Sequence, residues 1–119
     1  MKVIIAGGRD LKDYEWFSNK VSEFFDKFLE PYEIIEGGAK GADSMAGEYA
    51  EEKGIPLQVI YADWKSKGRS AGPIRNEQMA KKGTHLLAFW DGKSRGTGHM
   101  IKTAGEHGLD TTVVYYNQD

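Results

Sequence analysis

The sequence has no cysteine, few histidines and no long apolar run. Without cysteine the chain forms no disulfides and uses no thiol chemistry, and nothing in it points to an oxidising compartment. The three histidines are scattered, so no close cluster of ligands indicates a metal site. No apolar stretch approaches the roughly 20 residues that a membrane-spanning helix requires. We therefore expect no metal, no cofactor and no membrane partner.

What the chain does contain is the composition of an ordinary globular domain. Hydrophobic residues make up 39% and charged residues 29% of 119 residues, which is a typical length for one domain. We expect residues 1–119 to form a single domain with its own core. The apolar N-terminal run is too short for a signal peptide, so we expect a cytoplasmic protein. The net charge of −2 argues against nucleic acid as a partner.

Short apolar runs alternate with helical patterns along the chain. Strands are predicted at 3–6, 32–36, 57–61, 85–90 and 111–116, and helices at 13–30, 43–52, from 73 onward and at 97–106. This order predicts an α/β fold with an open, mainly parallel five-stranded sheet and helices on both faces. The polar segment 62–72 is predicted to be a functional loop. The last three residues are expected to be frayed.

Three of the predicted strands end in glycine-rich turns, at 7–9, 37–43 and 91–98. Glycine lets the backbone approach a ligand, and a helix that starts there presents unpaired N–H groups and the positive end of its dipole. Such a turn suits a phosphate. A plain turn that needs glycine for tight packing has the same pattern, and for 37–43 alone the two interpretations are evenly balanced.

The carboxyl ends of parallel strands lie at one edge of the sheet, where ligands bind. The turns and the loop bring five cations to that edge: Arg9, Lys40, Arg69, Arg75 and Arg95. In a chain of negative net charge, this excess favours a ligand with one or more phosphates, although any single cation is often only a solvated loop charge. The predicted ligand-binding residues are Gly7, Gly8, Arg9, Gly37, Gly38, Lys40, Gly41, Asp43, Asp63, Trp64, Arg69, Arg75, Asn76, Gly92, Ser94, Arg95, Gly96 and Thr97.

Several side chains at this edge have two alternative roles. Trp64 could stack on a base or cover the core, and Asp63 could accept from a ribose hydroxyl or cap a turn. Asp43 could contact the ligand or cap its helix, and His99 could touch the ligand or lie on the surface. The turns match neither the dinucleotide fingerprint nor the Walker A motif, and no serine occupies a nucleophile elbow. These mismatches argue against a dinucleotide dehydrogenase, a P-loop ATPase and a serine hydrolase.

Together these motifs resemble the YspA/YpsA-related branch of the SLOG superfamily, which also includes the DprA DNA-processing proteins and the Lonely Guy phosphoribohydrolases. The matching segments span nearly the whole chain: Gly7-Gly8-Arg9, Gly37 to Asp43, Ala62-Asp63-Trp64, Ala71 to Met79 and Phe89 to Thr97. The resemblance implies a Rossmann-like sheet that binds a nucleotide or a nucleotide-derived ligand.

One departure from the enzymatic relatives concerns catalysis. Lonely Guy enzymes carry a Gly-Gly-x-Gly-Thr-x-x-Glu turn whose glutamate acts beside an arginine. This sequence keeps Arg75, but His99 and Met100 follow Gly96-Thr97 and no glutamate does. Hydrolysis of an N-glycosidic bond needs a positioned acid or base, and Glu77 is the candidate substitute. The resemblance therefore implies no catalytic residue, or Arg75 if the chain is an enzyme.

The favoured function is non-catalytic binding of a nucleotide derivative, such as an ADP-ribose-like or cyclic nucleotide signal. The protein would act as a sensor or, by analogy with phage-encoded sponges, as a sequestering protein that counteracts bacterial defence. The alternatives are an N-glycoside hydrolase that processes nucleotides and a single-stranded DNA-binding protein. Related folds often dimerise, and exposed aromatics such as Trp16 or Trp90 would serve a homo-oligomer.

Overall fold

The computed structural model describes residues 1–117, which contain five strands and five α-helices. These alternate along the chain except for two consecutive helices between the third and fourth strands. The strands are β1 (Lys2–Gly7), β2 (Glu33–Glu36), β3 (Leu57–Val59), β4 (His85–Trp90) and β5 (Asp110–Tyr115). The helices are α1 (Tyr14–Phe25), α2 (Ala42–Lys53), α3 (Trp64–Lys67), α4 (Ala71–Lys82) and α5 (Arg95–Glu106), with a 3₁₀ turn at Gly68–Ser70. All strands are parallel and lie in the order β3-β2-β1-β4-β5. The predicted α/β, Rossmann-like sheet is confirmed.

Strand β1 lies at the centre of the sheet, as its apolar sequence predicted. Val3 and Ile5 belong to the core that α1 and α2 cover, whereas Ile4 and Ala6 belong to the core beneath α4 and α5. The alternation follows from the two-residue period of a strand. Because both faces are covered, the four buried residues of β1, Val3 to Ala6, are all apolar. The prediction of helices on both faces is therefore confirmed.

Helix α1 is shorter than predicted, since it ends at Phe25 and does not reach residue 30. Asp13 caps its start by accepting from Trp16 N at 3.1 Å. At its end Phe28 N donates to Phe25 O at 3.0 Å, a tighter turn than the α-helical one. The chain then brings Tyr32 face to face with Phe25, with ring centroids 3.9 Å apart. Aromatic packing with the start of β2 ends the helix before Pro31 does.

The predicted loop 62–72 also differs from the structure, because most of it is helical. Asp63 caps α3 by accepting from Ser66 N at 3.2 Å. Helix α4 then begins at Ala71, so Pro73 is its third residue and lies in its first turn, as its sequence position predicted. Proline is tolerated there because first-turn N–H groups have no partner within the helix.

Two aromatics that we expected to be exposed are half-buried and held within the chain. Trp16 packs edge-on against Phe89, with ring centroids 5.9 Å apart. Trp90 donates from Nε1 to Ser94 O at 3.0 Å. The prediction that these two side chains form an exposed surface was wrong, since their rings support β4.

The chain order places a topological switch point between β1 and β4. From β1 the chain runs outward through β2 to β3, then returns to start β4 on the other side of β1. Crevices at such switch points are where open parallel sheets bind ligands. None of the helices described in residues 1–117 has both the length and the apolarity to cross a membrane. Of the frayed end that we expected at 117–119, residues 118–119 lie outside the described residues.

Candidate functional site

A cavity of about 690 Å³ opens at the switch point, beyond the carboxyl ends of β1 and β4. Its walls come from the β1 turn and from the first turns of α2, α4 and α5. Eleven of the predicted ligand-binding residues line it: Gly7, Gly8, Arg9, Asp43, Trp64, Arg75, Asn76, Ser94, Arg95, Gly96 and Thr97. The structure thus brings together residues from five separate segments of the chain.

The other predicted site residues lie outside the lining of this cavity: Gly37, Gly38, Lys40, Gly41, Asp63, Arg69 and Gly92. Lys40 and Arg69 are exposed. Asp63 serves as the cap of α3, the structural alternative of its two predicted roles. Of the five predicted cations, Arg9, Arg75 and Arg95 line the cavity.

The turn at 37–43 uses its own N–H groups internally. Gly38 N donates to the Glu36 carboxylate, and Ala39 N donates to Asp43 Oδ2 at 3.3 Å. Gly38 and Gly41 both have φ of 74°, which L side chains rarely adopt. A side chain at Gly41 would also collide with the backbone of the β1 turn. Its glycines therefore let two turns pack closely, and two of the backbone donors that could hold a phosphate, Gly38 N and Ala39 N, are occupied by carboxylates.

Glu36 and Asp43 lie behind and beside this turn, and both are buried. Burial raises the pKa of Glu36 to about 7, although the hydrogen bond from Gly38 opposes the change. Burial also raises the pKa of Asp43, while the hydrogen bond from Ala39 N and the charge of the nearby Arg75 act to lower that pKa. Loss of water disfavours the charged form of a carboxyl. Asp43 lines the cavity, so the site contains one buried carboxyl among its arginines.

Arg75 crosses the floor of the cavity from α4 to the end of β2. Its Nη1 donates to Gly37 O at 2.5 Å and its Nε donates to Asn76 Oδ1 at 3.1 Å. Burial lowers the pKa of Arg75, while Asp43 acts in the opposite direction. The carbonyl of Gly37 and the carboxyl of Asp43 hold this cation in place, which explains why an arginine is tolerated so deep.

The first turn of α5 forms the opposite wall. Asp91 Oδ1 accepts from Lys93 N at 2.9 Å and from Ser94 N at 2.8 Å, and these bonds lower the pKa of Asp91. The loop before α5 is thereby fixed. No side chain within residues 1–117 caps the helix itself, and Arg95, Gly96 and Thr97 all line the cavity. An uncapped helix start with an arginine beside it is suited to an anion.

The rim carries Trp64 and Arg9. Trp64 is 50% exposed, and the Arg9 guanidinium carbon lies 5.9 Å from its ring centroid. Gly72 leaves room for the indole, since a side chain there would meet Trp64 Cη2 at 3.2 Å. An aromatic face and a cation are thus offered together at the mouth of the cavity.

The lining also includes residues outside the predicted set: Ala6, Asp10, Ala39, Gly72, Pro73, Met79, Asp91, His99 and Met100. Asp10 and Asp91 stand in turns that the sequence had marked, and Met79 and Met100 continue the inward faces of α4 and α5. His99 had been given as either a ligand contact or a surface residue, and the structure places it in the lining. His99 follows the predicted ligand contact Gly96 by three residues, which places the two on one face of a helix, and this spacing was the signal in the sequence that could have identified it.

Glu77 is placed away from this lining. Its Oε1 lies 2.5 Å from His107 Nε2, which ties α4 to the end of α5. The suggestion that Glu77 replaces the missing glutamate of the phosphoribohydrolases therefore has no support in the geometry. Asp43 is the buried carboxyl that faces the cavity instead.

The fold and the site define a Rossmann-like α/β domain with a cavity at its switch point. A sequence model of the YspA, cpYpsA-related SLOG family matches residues 1–66. Gene 61 protein of Mycobacterium phage D29 is 31% identical over 114 residues, with 91% of each chain covered. The chain belongs to the YspA, cpYpsA-related SLOG family, as the motifs implied.

The fold is also similar to that of DNA processing protein A (DprA) from Streptococcus pneumoniae. The two superpose with a TM-score of 0.74 and share 18% sequence identity. The match covers 94% of this chain and 49% of DprA, so the chain corresponds to about half of that protein. This likeness establishes the fold. Family and fold together suggest a function related to nucleotides or nucleic acids.

Proposed function

We propose that the protein binds a phosphate-bearing nucleotide or nucleotide-derived small molecule in the cavity at the switch point. The observation that carries this proposal is the convergence of Arg9, Arg75 and Arg95 with the uncapped start of α5. Three arginines and three aspartates line the cavity. Asp10 already accepts from the Tyr116 hydroxyl, and Asp91 accepts from Lys93 N and Ser94 N, so the arginines favour an anionic ligand. The volume is within the range of small-molecule sites, roughly 300–1,000 Å³.

The distribution of donors and acceptors suggests how such a ligand lies. Its phosphate is expected at the first turn of α5 beside Arg95, because that turn lines the cavity without a side-chain cap, whereas Gly38 N and Ala39 N of the 37–43 turn already donate to carboxylates. Its base is expected at the rim, on the exposed face of Trp64. Between them Asp43 is available to accept from a sugar hydroxyl, the role that the sequence had offered to Asp63.

A nucleotide signal such as an ADP-ribose derivative or a cyclic nucleotide fits this arrangement. The phage origin of one relative supports a sequestering role, in which the bound signal is withheld from a bacterial defence system. A sensor role requires an effector that responds to binding, and sequestration requires only tight binding. A cytoplasmic location and self-association also remain proposals.

The test is a calorimetric titration of the purified protein with inorganic phosphate, AMP, ADP-ribose and a cyclic nucleotide. Mass spectrometry of molecules that co-purify with the protein supplies further candidates. Arg95→Ala is expected to weaken binding about tenfold or more, because a charged hydrogen-bond donor is lost. Lys40→Ala is the matched control, since Lys40 is exposed and outside the cavity. If none of the four compounds binds the wild-type protein, the proposal is wrong.

The buried Asp43 favours hydrolysis of an N-glycosidic bond as a second candidate. Its raised pKa and its position beside Arg75 are typical of a catalytic acid or base. In this reaction water adds to the sugar carbon, the glycosidic bond breaks, and the base leaves with a proton. Chromatography of AMP or ADP-ribose after long incubation should show free adenine from the wild-type protein and none from Asp43→Asn. Intact nucleotide in both reactions would leave binding as the function.

The same experiments must distinguish binding of a small nucleotide from binding of single-stranded DNA. Its affinity should fall steeply with salt concentration, because each phosphate contact releases counterions. A mononucleotide has far fewer phosphates and should show a shallow dependence. An oligonucleotide that binds more tightly than every mononucleotide at low salt would overturn the small-molecule proposal.

A further inference from the structure

A chain of hydrogen bonds crosses the floor of the cavity from α4 to α5. Arg75 Nε lies 3.1 Å from Asn76 Oδ1. Asn76 Nδ2 lies 3.4 Å from Gly96 O and 3.0 Å from His99 Nδ1. Thr103 Oγ1 lies 3.4 Å from the same histidine nitrogen. Asn76 is only 4% exposed, so water does not compete for these bonds.

The chemistry of these groups leaves one assignment of protons. A guanidinium has donors only, so the Asn76 atom that faces Arg75 is the carbonyl oxygen and the other is the NH₂ group. One amide hydrogen of Asn76 goes to Gly96 O, which only accepts. The second hydrogen then goes to His99 Nδ1, which must act as an acceptor. A ring nitrogen that accepts carries no proton, so His99 is neutral with its proton on Nε2.

The Nε2–H group of His99 has no hydrogen-bond partner within residues 1–117, and His99 lines the cavity. Side chains on a helix lean toward its N-terminus, which directs the ring of His99 toward the first turn of α5. We propose that Asn76 fixes the tautomer of His99, so that His99 donates from Nε2 to an acceptor atom of the ligand. The ligand half of this proposal rests on the proposed function, whereas the state of the ring does not.

Two consequences follow for recognition. The ligand must present an acceptor to His99, and a phosphate oxygen near Arg95 meets that requirement. A protonated amine at the same place would face the Nε2–H group and be rejected. Asn76, which the sequence marked as a ligand contact, is thereby assigned a positioning role that acts through His99.

The tautomer is measurable without any ligand. Long-range ¹H–¹⁵N NMR spectra of labelled protein separate protonated from unprotonated ring nitrogens, and the signals absent from His99→Gln assign the residue. The wild-type protein should show His99 protonated at Nε2. Asn76→Ala should populate the form of His99 that is protonated at Nδ1. His107 lies at the C-terminal end of α5, and His107→Gln should leave the His99 signals unchanged. A wild-type His99 ring protonated at Nδ1 would overturn the proposal. The chain has three histidines, so His85→Gln and His107→Gln assign the His99 signals by elimination even if His99→Gln does not fold.

The ligand half is tested with AMP. His99→Phe should weaken AMP binding about tenfold, the loss expected for one hydrogen bond to a charged group. His99→Gln retains an amide donor and should lose less. Asn76→Ala should weaken binding to a similar extent, and adding it to His99→Phe should cost little more because both act on one bond. Equal affinity of wild type and His99→Phe overturns the donor role alone. No AMP binding by the wild type overturns the ligand half for AMP, and the proposed function is contradicted as well only if phosphate, ADP-ribose and the cyclic nucleotide also fail to bind.

Discussion

Glu36 is expected to make the stability of this protein fall as the pH rises. The residue ends β2, is 6% exposed, and accepts from Gly38 N. Burial raises its pKa from 4.5 to about 7. Between these two values the folded state binds a proton that the unfolded state has released. The free energy of unfolding therefore decreases with rising pH in this interval and is lowest above pH 7.

The size of the effect follows from the two pKa values of Glu36. Each tenfold change in proton affinity corresponds to about 1.4 kcal/mol, so the interval from 4.5 to about 7 gives about 3 kcal/mol. Glu36→Gln replaces the carboxyl by a neutral group of similar shape that still accepts from Gly38 N. At pH 8 the variant should be more stable than the wild type by up to about 3 kcal/mol. At pH 4.5 and below the advantage should nearly vanish, because the wild-type carboxyl is then protonated in both states.

Urea denaturation followed by circular dichroism at pH 5 and pH 8 measures these differences. Glu48→Gln is the matched control, since Glu48 is exposed on α2 and carries the same chemical change. Its effect on the free energy of unfolding should be small and equal at both pH values. If Glu36→Gln changes stability by the same amount at pH 5 and pH 8, the folded protein does not hold the proton on Glu36 and the reasoning is wrong.

Three further stability predictions use the same denaturation assay. Gly8→Ala should cost about 1–3 kcal/mol, because its Cβ would overlap the Tyr116 hydroxyl. Tyr116→Phe should reduce that cost. Equal costs of Gly8→Ala in the wild type and in Tyr116→Phe would contradict this explanation. Phe89→Ala should cost about 3–5 kcal/mol, because Phe89 is fully buried; a loss below 1 kcal/mol would mean that the core closes over the cavity. His107→Ala should cost at most about 1 kcal/mol, because its pair with Glu77 is partly exposed; a larger loss would give that contact a structural role.

Local patterns in the sequence were enough to predict the architecture. The apolar runs and the helical spacing between them gave the strand order along the chain and the parallel sheet. The end of α1 could not be predicted from the same patterns, because it depends on Tyr32 stacking against Phe25. The helix at 64–67 was missed because its four residues carry no periodic signal, although the Asp63 cap was visible. Periodic patterns register only the spacing of residues within one helix or strand. The end of α1 depends on a contact with Tyr32 outside the helix, and α3 depends on the Asp63 cap.

The sequence by itself also determined that arginines and glycine turns gather at one edge of the sheet. This follows because every parallel strand ends at the same edge. Only the tertiary structure decided which of those groups are available to a ligand. In the 37–43 turn, Gly38 N and Ala39 N donate to Glu36 and Asp43, whereas the uncapped first turn of α5 lines the cavity. It also decided the proton position on His99, through Asn76 on another helix. Hydrogen bonds between distant segments satisfy some polar groups and leave others open, and no local pattern records which partners meet.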